Sequence, residues 1–162
     1  MARKTFFSFH YKQDIWRAAS IRNSWLTRDR EAAGFFDSAE WEKVKQKDDS
    51  FIKKWIDEQL KGTSVTVVLI GEKTAGRKWI NYEITSSYKK RNGMLGIYIH
   101  KKKDKDGNTA KKGRNPLDDW YIEKNGKRIY FSTIYNTYDW IDDDGYNSMG
   151  KWIEIAASDV GK

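Results

Sequence analysis

The chain of 162 residues contains no cysteine and a single proline. Without cysteine it has neither a disulfide framework nor a thiolate nucleophile, which fits a reducing compartment. No apolar run approaches the ~20 residues that a membrane-spanning helix needs, and the N-terminus has no apolar signal region. We therefore expect a cytoplasmic protein that has no membrane as a partner.

The composition is that of a globular protein, because charged residues make up 33% of the chain and hydrophobic residues 38%. At this length we expect one domain that covers residues 1–162. Aromatic residues are frequent at 15%, and most of these large rings must lie in the core. The formal net charge of +8 indicates an anionic partner; the charge alone would suit nucleic acid, an acidic membrane surface or a phosphate-bearing small molecule.

Short apolar segments alternate with segments of helical periodicity along the chain. The apolar segments predict five strands, near residues 4–9, 34–37, 65–70, 94–99 and 127–132. The periodic segments predict helices over about residues 12–25, 49–60, 79–88 and 146–157, with a shorter helix around Trp41 and Val44. Strands that alternate with helices imply an α/β fold with a central parallel five-stranded sheet.

The segment from Ser64 to Tyr88 combines the most apolar strand with a helix that carries a carboxylate. Ile80 and Ile84 are one turn apart and should face the sheet, while Trp79 and Glu83 share the neighbouring face of the helix. Ligands of open α/β sheets bind beyond the carboxyl ends of the strands. We therefore expect chemistry near Glu83, although a solvent-facing helix glutamate is the alternative interpretation.

Two motifs in this chain resemble those of TIR domains. The sequence WINYE, which ends at Glu83, is similar to the Trp-x-x-x-Glu signature, and FFSF at residues 6–9 is similar to the box on the first TIR strand. Four segments in chain order resemble the TIR-like proteins of the Thoeris anti-phage defence system (the ThsB-like type): 6–11, 35–41, 64–71 and 138–147. The resemblance implies a flavodoxin-like (TIR) three-layer fold with strand order 2-1-3-4-5.

The chain departs from the usual TIR pattern at three positions. Gly71 stands where the helix signature usually opens with serine, and Ile80 replaces the usual cysteine after the tryptophan. Asp14 lies one residue later than the aspartate that commonly follows the first box. These departures concern the geometry of the loops more than the identity of the glutamate.

The resemblance implies an enzyme in which Glu83 is catalytic and NAD is cleaved to nicotinamide and an ADP-ribose product. NAD is then the substrate, and no cofactor is expected. The nicotinamide leaves as a neutral ring, so one carboxylate that stabilises the developing oxocarbenium charge is sufficient. In Thoeris proteins the product, here expected to be cyclic, would be a signalling nucleotide that activates a separate effector protein.

The resemblance also implies a substrate pocket that is lined by three segments: the end of the first strand, the loop after the second strand and the helix that carries the Trp-x-x-x-Glu signature. The candidate substrate-binding residues are Ser8, Phe9, His10, Tyr11, Asp37 and Trp79. Core packing is the alternative role for Phe9 and Trp79, and a helix cap is the alternative for Asp37. The two histidines, without any cysteine or ligand spacing, predict no metal site.

Two other functions stay open. A TIR-like module can act by protein–protein assembly without catalysis, and self-assembly is also possible for an enzyme of this type. The basic segment 101–114 is the feature that most favours nucleic-acid binding. Its two aspartates lower the net positive charge of the segment, however, and the sequence contains no nucleic-acid-binding motif. A solvated loop that raises the local concentration of NAD is the other interpretation of this segment.

Overall fold

A computed structural model describes residues 3–26, 30–34 and 38–162 of the chain. In chain order its elements are β1 (Lys4–Ser8), α1 (Tyr11–Leu26), β2 (Glu31–Ala33), α2 (Ser38–Val44), α3 (Asp49–Leu60), β3 (Val65–Ile70), α4 (Lys78–Lys89), β4 (Gly93–Tyr98), a 3₁₀ turn (Pro116–Asp119), β5 (Tyr121–Lys124), β6 (Lys127–Tyr130), α5 (Phe131–Ile134), β7 (Thr137–Asp139) and α6 (Gly145–Asp159).

Five strands form a parallel sheet in the order β2-β1-β3-β4-β7. Since β7 is the fifth strand of this sheet along the chain, the expected flavodoxin-like order 2-1-3-4-5 is confirmed. Strand β3 lies at the centre, and all six of its residues are buried. A strand buried on both faces needs apolar side chains in both directions, which is why residues 65–70 form an almost continuous apolar run.

Helices cover both faces of the sheet, and the pleat of β3 divides its side chains between them. Val65, Val67 and Leu69 pack into the cluster formed with α1 and α6. Val68 and Ile70 point the other way, into the cluster that contains Ile80 and Ile84 of α4 and residues of the C-terminal half: Met94, Leu117 and Phe131. A third cluster, around α3, lies under β1 on the same side as α4. The result is the expected three-layer arrangement.

The prediction of a fifth strand at residues 127–132 is wrong for the central sheet. Residues 127–130 form β6, which pairs in antiparallel fashion with β5 in a separate hairpin. Asn125 and Gly126 have φ values of 55° and 74°, as a two-residue hairpin turn requires. This turn pairs β6 with β5, the strand directly before it in the chain. The fifth strand of the sheet is β7, whose three residues are too few and too polar to show a pattern.

The predicted helices 12–25, 49–60, 79–88 and 146–157 are confirmed as α1, α3, α4 and α6, with ends that differ by one or two residues. Asp48 caps α3 by accepting a hydrogen bond from the Phe51 amide at 2.8 Å. The prediction of a second strand that ends at Asp37 falls mainly on residues 35–37, which lie outside the described residues. The second strand that the structure describes is β2, which ends at Ala33 and pairs with β1. Within the described ranges, no helix combines the length and the apolar character needed to cross a membrane.

Candidate active site

Glu83 is buried between α4 and the carboxyl end of β1, with only 3% of its surface exposed. Ile80 and Ile84 hold this face of α4 against the sheet, which directs Glu83 towards Ser8, the last residue of β1. The Ser8 hydroxyl donates a hydrogen bond to Glu83 Oε1 at 2.7 Å. The alternative of a solvent-facing glutamate is therefore excluded by the fold.

Burial raises the pKa of Glu83 from its ordinary value of 4.5 to about 8, because the charged form loses its hydration. The hydrogen bond from Ser8 favours the charged form and offsets part of this rise. In the described part of the chain, no lysine or arginine forms an ion pair with Glu83. The raised pKa favours the neutral form of the carboxyl group at neutral pH, and a positive charge beside it would favour the ionised form.

Glu83 opens into a pocket of about 290 Å³, which we call the Glu83 pocket. The other described residues that line it are Phe9, His10, Tyr11, Trp41, Arg77, Lys78, Trp79 and Ile80. Tyr11 and Trp41 stack with ring centroids 5.4 Å apart, and Trp79 packs edge-to-face on Tyr82 at 6.0 Å. A mostly apolar pocket with one buried carboxyl group is suited to hold a flat organic cation beside that group.

The structure brings together most of the predicted site residues. Phe9, His10, Tyr11 and Trp79 line the pocket with Glu83, and Ser8 lies directly behind the carboxyl group. Asp37 lies outside the described residues. Core packing and pocket lining prove compatible rather than exclusive, because Phe9 also belongs to the α1–α6 cluster and Trp79 also packs against the α3 cluster. The part that each residue plays in binding stays a prediction.

Sequence reasoning did not single out Arg77 and Lys78, which lie at the pocket where α4 begins. Arg77 occupies the position before the helix in an extended conformation, and its Nε donates to the Lys73 carbonyl at 3.1 Å. Lys78 pairs with Asp49 and lies over the Trp79 ring, 5.0 Å from its centroid. The loop 71–77 has no periodicity, so the one available signal was its position after a strand and before a helix.

A second cavity of about 370 Å³ adjoins the Glu83 pocket, and we call it the cationic annex. The described residues that line it are His10, Lys12, Gln13, Lys73 and Arg77. His10 and Arg77 line both cavities, so the two are neighbours that share these residues as a common border. The pKa of His10 is lowered first by burial and then by Arg77, Lys12 and Lys73, which shows that the positive charges converge on one place.

The loop geometry around the site accounts for two of the departures from the usual TIR pattern. Asp14 is buried with 1% of its surface exposed, and a Cβ at Gly71 would overlap its carboxylate. Burial raises the pKa of Asp14 to about 6, although the nearby Arg17 opposes the rise. The shifted aspartate therefore requires glycine at the position where the signature usually has serine.

The basic segment 101–114 is anchored to the rest of the protein. The Arg17 guanidinium, which lies 3.8 Å from the Asp14 carboxylate, donates to the carbonyls of Lys102 and Asn108 at 2.5 and 2.9 Å. Lys101 and Arg114 pair with Asp142 and Asp119, and Lys112 lies 4.5 Å from the centroid of the Tyr98 ring. Two of the seven cations in this segment are therefore paired with carboxylates outside or at the edge of it, and the rest keep their charge at the surface.

Among the residues that the structure describes, no group of three or more His, Asp or Glu side chains is arranged to hold a metal ion. The Glu83 pocket itself offers a carboxyl group, a serine hydroxyl, aromatic walls and nearby cations.

Comparison with known proteins identifies the family. A family model described as "Thoeris protein ThsB, TIR-like domain" matches residues 6–104, which is more than half of the chain and runs from within β1 to just beyond β4. The chain belongs to the ThsB TIR-like family. A ThsB relative from Bacillus cereus (strain MSX-D12) is 36% identical over 191 aligned residues, which cover 94% of this chain and 100% of the relative. That relative carries the name "Putative cyclic ADP-D-ribose synthase ThsB1".

Proposed function

We propose that this ThsB-family protein cleaves NAD to nicotinamide and an ADP-ribose product, and that the product is cyclised to a signalling nucleotide of anti-phage defence. The observation that carries the proposal is the buried Glu83 carboxyl group, hydrogen-bonded to Ser8 at the end of a pocket with aromatic walls. The Bacillus cereus relative, whose name is that of a cyclic ADP-D-ribose synthase, supports the same reaction class.

The reaction breaks the bond between the nicotinamide nitrogen and the anomeric carbon of the ribose. The pyridinium ring takes the bonding electron pair and leaves as neutral nicotinamide, so no proton has to be donated to it. The ribose is left with oxocarbenium charge, which the Glu83 carboxylate stabilises at close range in a pocket of low dielectric constant.

The substrate itself promotes ionisation of Glu83. An opposite charge within a few ångströms favours the ionised form of a carboxyl group, and the nicotinamide ring of NAD carries a positive charge. Entry of this ring between the aromatic walls therefore lowers the pKa of Glu83 from its raised value, and the proton is released to solvent. Ser8 keeps Oε1 in place during this change through its hydrogen bond.

The product depends on which nucleophile reaches the anomeric carbon. A nucleophile of the same ADP-ribose moiety closes a ring, whereas water gives the linear product. Phe9, Tyr11, Trp41 and Trp79 line the pocket and restrict the space for water, which favours ring closure. The cyclic nucleotide then leaves the site and acts on a separate effector protein.

The test is nicotinamide release and mass spectrometry of the products after incubation with NAD, for the wild type and Glu83→Gln. Glutamine keeps the shape and the acceptor for Ser8 but cannot carry the negative charge, so we expect a loss of at least about 100-fold in rate. Glu123→Gln, at an exposed glutamate of the β5–β6 hairpin, is the matched control and should retain the rate. Because TIR enzymes can require self-assembly, the assay includes high protein concentrations. Equal rates for wild type and Glu83→Gln would contradict the proposal and favour a non-catalytic assembly module.

A further inference from the structure

The Glu83 pocket is too small to hold a whole dinucleotide. Its volume of about 290 Å³ is at the lower limit of sites for drug-sized ligands, which bury most of the ligand within ~300–1,000 Å³. One nucleoside half of NAD fills such a space, so the remaining parts of the molecule must lie outside it. The neighbouring cavity that shares His10 and Arg77 with it is the cationic annex.

The annex concentrates positive charge, because three cationic side chains line it. Within the described residues, none of Lys12, Lys73 and Arg77 forms an ion pair with a carboxylate. Other described surface cations, Lys124 and Lys127 among them, also form no ion pair, so the annex is distinguished by the convergence of three cations on one cavity. Such a concave cluster of unpaired cations attracts an anion.

The backbone around the annex adds to this charge and fixes the side chains. Lys12 and Gln13 belong to the first turn of the 16-residue helix α1, where N–H groups have no intrahelical acceptor and the helix dipole is positive. The hydrogen bond from Arg77 Nε to the Lys73 carbonyl ties two of the cationic residues together. That bond uses Nε and leaves the two terminal nitrogens of the guanidinium group available for a phosphate.

We propose that the cationic annex binds the diphosphate of NAD, with Lys12, Lys73 and Arg77 as its ligands, while the nicotinamide ribose occupies the Glu83 pocket. The proposal rests on the proposed function for the identity of the ligand. It makes the annex a specificity site, because a nicotinamide ribose without a diphosphate fills the Glu83 pocket but leaves the three cations unpaired.

The test measures binding rather than turnover. Every protein in it carries Glu83→Gln, so that NAD stays intact, and binding of NAD and of nicotinamide riboside is followed by calorimetry. Lys12 and Lys73 are exposed, and the double substitution Lys12→Gln/Lys73→Gln removes two charges without disturbing the core. The matched control is Lys124→Gln/Lys127→Gln, which removes the same charge from the exposed β5–β6 turn.

We expect the annex variant to bind NAD at least about tenfold more weakly than the control, since hydrogen bonds to charged groups contribute more than neutral ones. Binding of nicotinamide riboside should be the same in both proteins. Inorganic pyrophosphate, used as the second probe, should compete with NAD in the control protein and lose affinity in the annex variant. Both effects should weaken as salt is added.

Three results would overturn the proposal: equal affinity of both proteins for NAD, equal weakening for NAD and nicotinamide riboside, or binding of pyrophosphate without competition with NAD. The last result would mean that the annex is a site for an unrelated phosphate. A failure of the proposed function looks different, because wild-type protein would then release no nicotinamide while the binding results above could still be obtained.

Discussion

Replacement of Glu83 by glutamine should change how the stability of the protein depends on pH. The folded protein holds the Glu83 proton with a pKa of about 8, whereas the unfolded chain holds it at the ordinary value of 4.5. Between these values the folded state binds more protons than the unfolded state. The free energy of unfolding of the wild type therefore falls as pH rises through this range.

The size of the effect follows from the difference between the two values. One pKa unit corresponds to about 1.4 kcal/mol, so the whole difference corresponds to about 5 kcal/mol. About 4 kcal/mol of this decrease falls between pH 4.5 and pH 8, because the unfolded and folded forms are each half titrated at the two ends of the range. A decrease of this size is a large part of the total stability of a small domain, which is 5–15 kcal/mol. Glutamine does not titrate and keeps a polar group next to Ser8, so the variant lacks this decrease.

The measurement is urea unfolding of the wild type and Glu83→Gln at pH values from 4.5 to 8. Asp14 also titrates in this range, because its pKa is raised to about 6, but it is present in both proteins and cancels in the difference. The variant should therefore gain about 4 kcal/mol relative to the wild type across the range. Glu123→Gln should follow the wild type. A difference between Glu83→Gln and wild type that does not change with pH would refute the buried, unpaired state of this carboxyl group.

Three further substitutions test the packing and the hydrogen bond of the site. Ser8→Ala removes the one hydrogen bond that lowers the pKa of Glu83, so the pH at which the NAD cleavage rate reaches half its maximum should move upwards in a pH–rate profile. Gly71→Ala forces a methyl group into the Asp14 carboxylate and should destabilise the protein by about 1–3 kcal/mol in urea unfolding. Ile84→Ala leaves a cavity under α4 and should lower the free energy of unfolding by about 2–5 kcal/mol, measured in the same way. Unchanged values for any of the three would contradict the contact that it tests.

The fold was predictable where the chain repeats a local pattern. The apolar run at residues 65–70 predicts a strand that is covered on both faces, because such a strand needs apolar side chains in both directions. The helical spacing of Ile80 and Ile84 likewise predicts a helix that packs on one face. The fifth strand was not predictable in this way. The Asn125-Gly126 turn places β6 in a hairpin with β5 instead of in the central sheet. Strand β7 joins the central sheet by pairing with β4, and its three residues are too few to show a strand pattern in the sequence.

The candidate site, too, was predictable only where its residues follow a local pattern in the chain. Trp79 and Glu83 could be placed on one helix face from their spacing, and residues 8–11 could be placed at the end of the first strand. The annex could not be predicted, because Lys12 comes from the start of α1 whereas Lys73 and Arg77 come from the loop before α4. Segments distant in the chain meet there only because parallel strands bring their carboxyl ends to one edge of the sheet.

The sequence by itself determined the alternation of strands and helices, the family motifs and the position of one glutamate on its helix. Only the tertiary structure decided that this glutamate is buried, that it accepts a hydrogen bond from Ser8 and has a raised pKa, and that a cavity lined by three cations lies beside it. The reason is physical: periodicity is a property of neighbours along the chain, whereas desolvation and electrostatic potential depend on all the atoms that the fold brings around a group.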